Sequence, residues 1–354
     1  MTVMNDSEIN LRSFPNGRRR LAARLLSAEI FIILALLYSA PLSVRAADLS
    51  GIVSGATGFS CVGGSLLASP DSASASVIGL EAGTPFLIEE EVGDYWRVSC
   101  EGAEGFVPHA LCAVNLPDVL PDVFYEIANA SACMYRSSGK DLSVTGMNLY
   151  GTGRIPNGRL GRDEYVVPVL YSTARMIADA ADAAAEMGFA LKIYDAYRPK
   201  SVSVLARDSL AELYASDEEV RRNIDFDRLG NSWGQGWFIA QSSSSHNFAA
   251  AVDVAPADPV TGKDLPCPSP MHELSSLAAK FASPSESPYS EGGYSPFMTP
   301  EAIALTECFI ESGFRGLASE WWHFQDQEGY ERLKSVVPEG MDWFPTDVVS
   351  EEIP

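Results

Sequence analysis

The chain has 354 residues, 46% of them hydrophobic, with 47 acidic against 25 basic side chains and a net charge of -22. That apolar share excludes a wholly disordered chain. The acidity excludes binding through nucleic-acid phosphates, which rewards a basic surface, and the length allows one large domain or two to three smaller ones.

The N-terminus runs against the overall charge. Arg18, Arg19, Arg20 and Arg24 form a basic cluster, and the apolar run from Ile30 to Ala40 follows it. Pro41 ends the run, and Val44-Arg45-Ala46 has the small-x-small form of a cleavage site. Residues 1–46 therefore read as a signal peptide. The competing reading is an uncleaved anchor, the one arrangement that gives this chain a membrane contact. The run is short for a bilayer core that needs about 20 apolar residues. Either reading places the remainder outside the cytoplasm, secreted or in the cell envelope. Without residues 1–46 the chain keeps 19 basic and 44 acidic side chains, a net charge of -25.

Six cysteines stand at 61, 100, 112, 133, 267 and 308. An even number in an oxidising compartment permits disulfides, and Cys267 and Cys308 read equally as buried free thiols. No CxxC occurs, so no thiolate zinc site is expected.

Residues 50–115 read as short strands separated by glycine turns. Val77 to Leu80 is one strand and Phe86 to Ile88 the next, after a turn at Gly83-Thr84-Pro85. Tyr95 to Cys100 alternates as a third, and Phe106 to Pro108 follows the turn between Gly102 and Gly105. Glu89 to Glu91 reads as a solvated turn. His109 reads as structural. Closely spaced short strands suggest a small all-β barrel. The segment GTPFLIEEEVGDYWRVSCEGAEGFVPHALC resembles bacterial Src-homology-3-like domains. That resemblance implies a cell-wall contact or packing on a neighbouring enzyme; the alternative is a spacer without a ligand.

Asn115 to Pro121 reads as the connection to a second domain at 120–345, where the pattern is mixed α and β. Val167 to Met187 is predicted as an alanine-rich helix ended by Gly188. Leu191 to Tyr194 is a predicted strand, Ser201 to Tyr214 a helix and Val252 to Val254 a short strand. Ser283 to Pro296 reads as a long loop. Thr299-Pro300 starts a helix as cap and first-turn proline, and Gly313 ends it. Trp321 to Phe324 is a predicted strand.

Two of the four histidines sit in suggestive surroundings. His246 precedes Asp253 by seven positions, in SSHNFAAAVDV, and a turn followed by a strand can bring the two together. Glu320 precedes His323 in SEWWHF; on an extended segment they would face opposite ways unless a kink intervenes. Two histidines and a carboxylate with one open position make a catalytic zinc site. Zinc lowers the pKa of a bound water to about 7, and a nearby Glu can take its proton and pass it to a leaving amine. A fixed cation suits the developing oxyanion. Arg198 in YDAYRP fits, because it stays charged and Pro199 holds it away from helix.

YDAYRP, SSHNFAAAVDV and SEWWHF resemble the signatures of zinc D-Ala-D-Ala metallopeptidases, closest to the D-alanyl-D-alanine dipeptidases of the vancomycin-resistance type. TGMNLYG at 145–151 and TGKDLP at 261–266 also resemble that branch. The likeness covers about 120–335. It implies an α+β fold, a mostly antiparallel sheet with flanking helices, of the D-Ala-D-Ala metallopeptidase/hedgehog-like kind. It further implies one zinc ion on His246, Asp253 and His323, with Glu320 as catalytic base and Arg198 as transition-state cation. Ser244 and Tyr150 fall on substrate-side positions. The substrate implied is D-Ala-D-Ala or a related dipeptide, the alternative being a D,D-carboxypeptidase or peptidoglycan endopeptidase acting on stem peptides. A wall-binding protein with a retired peptidase domain is the non-enzymatic reading.

Three departures stand out. The family has glycine in the turn where this chain has Ala249. Dipeptidases carry a carboxylate for the substrate ammonium in the loop where this chain has Met271-His272-Glu273. Glu273 would serve after a one-residue shift; His272 reads as substrate contact, loop packing or neither. Third, resistance dipeptidases work in the cytoplasm, whereas this chain reads as exported.

Overall fold

The structure, a computed structural model, describes residues 52–151, 154–157, 162–284 and 293–343. The expected signal peptide lies outside the described residues, as does the 285–292 part of the expected long loop. The fold is mixed α+β, with a large antiparallel sheet and flanking helices.

Seven strands come first: β1 (Thr57–Ser60), β2 (Gly64–Leu67), β3 (Ser76–Leu80), β4 (Pro85–Val92), β5 (Tyr95–Cys100), β6 (Ala103–Pro108) and β7 (Cys112–Asn115). Alternation decides their faces. In β5, Trp96, Val98 and Cys100 are buried while the intervening residues are half-exposed, the period-2 pattern of a sheet with one covered face. Glu89 to Glu91 is not a turn but the second half of β4. The three acids stay in the strand because each has a partner. Ser99 Oγ donates to Glu89 at 2.5 Å, Arg97 Nε to Glu90 at 2.7 Å and the Tyr171 hydroxyl to Glu91 at 2.5 Å. His109 packs 5.7 Å from the Trp96 ring and 5.1 Å from the Tyr171 ring.

The remaining strands are β8 (Phe124–Tyr125), β9 (Arg136–Ser137), β10 (Lys140–Asp141), β11 (Arg154–Asn157), β12 (Arg162–Tyr165), β13 (Pro168–Leu170), β14 (Ala190–Asp195), β15 (Ala251–Ala257), β16 (Arg315–Gly316) and β17 (His323–Gln325). The longer helices are α1 (Tyr171–Glu186), α2 (Lys200–Ser216), α3 (Glu218–Asp225), α4 (Pro300–Glu311) and α5 (Gln327–Val336). The helix expected from Val167 therefore begins at Tyr171. Pro168 disfavours helix at Val167, and β13 instead pairs with β7 as the edge of the first sheet, a position that tolerates proline. The connection after Asn115 is a buried helical turn, Leu116–Val119.

A second sheet has the order β16-β17-β15-β14-β8, antiparallel except for the β8–β14 pair. Its middle strand β15 is buried along its whole length. Helices α1 and α4 pack on each other and on this sheet. Thr299 caps α4 through Ala302 N, as its sequence position suggests. All six cysteines are free thiols. Among the described residues no helix is long and apolar enough to cross a membrane.

Candidate metal centre

Strand register assembles the site. Asp253 on β15 stands opposite His323 on β17 and opposite Asp195 on β14. Asp253 is the one charged residue of a strand otherwise made of apolar side chains. A buried carboxylate in that place is costly unless paired.

His246 reaches Asp253 from a single 3-10 turn, Ser245–Phe248. Ser244 and Asn247 close the turn as a capping box: the Ser244 side chain accepts a backbone N–H of the turn, and Ser244 N donates back to Asn247 Oδ1 at 2.8 Å. Ala249 leaves the turn with φ 54 and ψ 25, the left-handed conformation usually given to glycine. Asn247 Nδ2 donates to the Arg198 carbonyl at 2.9 Å, tying this turn to the YDAYRP segment.

Three atoms converge. His246 Nε2 lies 3.2 Å from Asp253 Oδ1 and 3.1 Å from His323 Nδ1, and His323 Nδ1 lies 3.1 Å from the same Oδ1. All three residues are buried. A tetrahedral zinc with bonds of 2.0–2.1 Å separates its ligand atoms by about 3.3 Å. The protonation pattern suits a metal as well. His246 Nδ1 is 2.6 Å from the Ala196 carbonyl, to which only N–H can donate, so Nδ1 carries a proton and Nε2 is the nitrogen turned to Asp253 and His323. Burial pushes His323 down to about 4, so the ring is neutral. Burial opposes the Asp253 charge, but His246, His272 and His323 hold its carboxyl well below the ordinary range.

Trp321 and Trp322 form a turn, and the expected strand starts only at His323. That kink puts Glu320 Oε2 3.9 Å from His323 Nδ1, on the side of the His/Asp cluster instead of the opposite face. Burial, with the nearby Asp253 charge, raises the Glu320 carboxyl well above its ordinary range, against the pull of Arg198 and Lys280. Arg198 Nε donates to Asp195 Oδ2 at 2.8 Å and its Nη2 to Asp253 Oδ2 at 3.1 Å. Burial opposes the guanidinium charge, but Tyr135, Asp195 and Asp253 keep it firmly protonated.

A cavity of about 300 Å³ opens over these groups. Ser244, Arg198, Glu320 and His272 are in its wall, with Trp237 and Tyr135. Two expected substrate residues are elsewhere. Tyr150 is buried and donates to Asp195 Oδ1 at 2.8 Å, so it supports the residue that orients Arg198. Glu273 is buried, and its carboxylate accepts Ser138 N at 2.5 Å, Gly139 N at 3.0 Å and Ser275 Oγ at 2.6 Å. Neither lines the cavity.

Asp195 and Lys280 are parts of the centre that the sequence reading passed over. Asp195 lies inside YDAYRP, and its position three residues before Arg198 was the available signal. Lys280 had none. It is buried, its Nζ donates to the His323 carbonyl at 3.1 Å, and it sits 3.9 Å from the centroid of the Phe324 ring. Burial pushes its pKa down to about 7.

No family model matches the sequence, and no curated protein matches it either.

Proposed function

We propose that the protein is an exported zinc-dependent dipeptidase hydrolysing D-Ala-D-Ala or a related D-amino-acid dipeptide. The reading places it with the D-Ala-D-Ala metallopeptidases, with the first seven strands as a Src-homology-3-like module that contacts the cell wall. One observation carries the chemistry: two imidazoles and one carboxylate meet at 3.1–3.2 Å, with Glu320 and Arg198 beside them.

His246, Asp253 and His323 would hold the metal. Zinc, when bound there, supplies an acidified water and polarises a peptide carbonyl. Glu320 accepts the proton of the attacking water and returns it to the leaving amine, a role its position beside His323 supports. Arg198 faces the developing oxyanion with a charge that cannot be lost. Asp195 fixes the guanidinium plane, and Tyr150 and Asn129 fix Asp195. Ser244 lines the cavity and offers a hydroxyl to the substrate.

A second reading, cleavage of D-Ala from an acylated stem peptide, is favoured by the placement of Glu273. A dipeptide presents a free ammonium, and the carboxylate expected to pair with it is engaged with the Ser138–Gly139 turn. An acylated substrate carries no such charge. The deciding experiment loads the protein with zinc and offers D-Ala-D-Ala and an acylated stem pentapeptide side by side, with mass spectrometry of the products. Splitting of the dipeptide supports the first reading. Release of D-Ala from the pentapeptide alone supports the second, and no hydrolysis of either removes both.

A further inference from the structure

We propose that His272 is a positioning residue for the metal-binding carboxylate, holding Asp253 so that one oxygen faces His246 and His323. The inference rests on the metal reading above and names a residue that reading does not use.

His272 Nε2 lies 3.2 Å from Asp253 Oδ2. A carboxylate only accepts, so Nε2 carries the proton. Oδ2 thus receives two donors, His272 and Arg198, while Oδ1 is left to the two facing imidazoles. Two donors on the outer oxygen fix the carboxylate plane where one would let it rock. Such partners orient a ligand and tune its affinity for the metal.

The ring is held there at a local cost. His272 has φ 59, a left-handed backbone on a residue with a Cβ. Its Nδ1 is buried and has no hydrogen-bond partner among the described residues. Simple packing would be served as well by an apolar ring. Among the described residues the one polar contact made by the side chain is the one to Asp253.

The surrounding loop holds the ring in place. Arg136 N donates to the His272 carbonyl at 3.1 Å, and Leu274 N donates to the Arg136 carbonyl at 2.6 Å. Glu273 pins the next position through the Ser138–Gly139 turn. Tyr135 stands 5.0 Å from the imidazole on one side and Trp322 6.0 Å on another. Glu273 thereby gains a purpose: it clamps the segment that presents His272.

The test titrates metal-free full chain with zinc against a chromophoric chelator, for the parent, His272→Asn and His272→Gln. Asn tolerates the left-handed backbone but its amide is too short to reach Asp253. Gln places an N–H where Nε2 stands. Zinc affinity is expected to fall roughly ten- to a hundredfold in His272→Asn and to recover most of that in His272→Gln. The cobalt(II) spectrum is read on the same proteins, since a turned carboxylate shifts it and a packing loss does not. Unchanged zinc binding in His272→Asn overturns the proposal and leaves the metal reading intact. Equal losses in both variants with the parent cobalt spectrum also overturn it, in favour of packing. A parent protein that binds no zinc removes the metal reading itself. Should His272→Asn fail to fold, His272→Gln decides: parent-like affinity and spectrum support the proposal, and their loss overturns it.

Discussion

His246 Nε2 faces His323 Nδ1 across 3.1 Å. Two imidazoles and a carboxylate gathered this closely aim three potential ligand atoms at one point, an arrangement a divalent ion would satisfy. Zinc that binds the folded chain and not the unfolded one stabilises it by about 2.7 kcal/mol at a hundred times its Kd. Thermal unfolding is expected to shift upward with zinc in the parent and to stay put in His246→Ala. Calorimetry with and without chelator reads the shift.

Glu320 is not among the three converging donors, so its removal should separate binding from chemistry. Glu320→Gln is expected to keep zinc, by metal analysis after dialysis, while turnover drops by roughly 10²–10⁴. Parent-like turnover in Glu320→Gln would remove it as the base.

Tyr150 donates to Asp195 and stands outside the cavity wall, a placement that suits action through Asp195. Tyr150→Phe removes one hydrogen bond to a buried carboxylate and is expected to cost about 1–3 kcal/mol in urea unfolding. KM should hold and kcat should fall modestly as Arg198 loosens. A raised KM at unchanged stability would return Tyr150 to the substrate.

Ala249 tests the backbone. Ala249→Gly gives up about 0.8 kcal/mol of methyl burial and gains about 1–2 kcal/mol from release of a left-handed alanine. Added freedom in the unfolded chain takes back about 0.4–1 kcal/mol. The variant should unfold within about 1 kcal/mol of the parent on that balance. Ala251→Gly, in a fully buried strand, has no strain to release and should be clearly less stable.

Alkaline pH should act through buried phenols. Burial holds Tyr135, Tyr150 and Tyr197 well above the ordinary tyrosine range. The folded state therefore keeps protons that the unfolded chain loses above about pH 10. The stability they contribute is intact below that pH and drains away as pH rises past it. Phenolate absorbance should show these three appearing only together with unfolding.

Much of the centre was legible because its residues sit in short, local motifs. His246 and Asp253 are seven positions apart on a turn and the strand after it, and the structure joins them that way. The strand at Leu191–Tyr194 and the helix at Ser201–Tyr214 were also readable, since apolar spacing alone defines them. What misled was tertiary pairing. Val167 to Leu170 looks like the first turn of the helix that follows, yet β7 recruits it as a strand. Glu89 to Glu91 looks like a loop until Ser99, Arg97 and Tyr171 supply partners. Glu273 looked available to substrate because nothing in its neighbourhood announces the Ser138–Gly139 turn more than a hundred residues away. Lys280 escaped for the same reason: its partner is a carbonyl on another strand.

The pairing of Pro168–Leu170 with Cys112–Asn115 reaches beyond the sheet it completes. The same few residues lead straight into Tyr171, whose ring rests 4.9 Å from Trp96. Leu170 N also donates to the Ala249 carbonyl at 2.8 Å, one step from the His246 turn. The first seven strands are therefore bolted to the part of the molecule that carries the His246–Asp253–His323 cluster and are no swinging arm. If the proposed function holds, whatever those strands grip would set the heading from which a substrate meets the cleft.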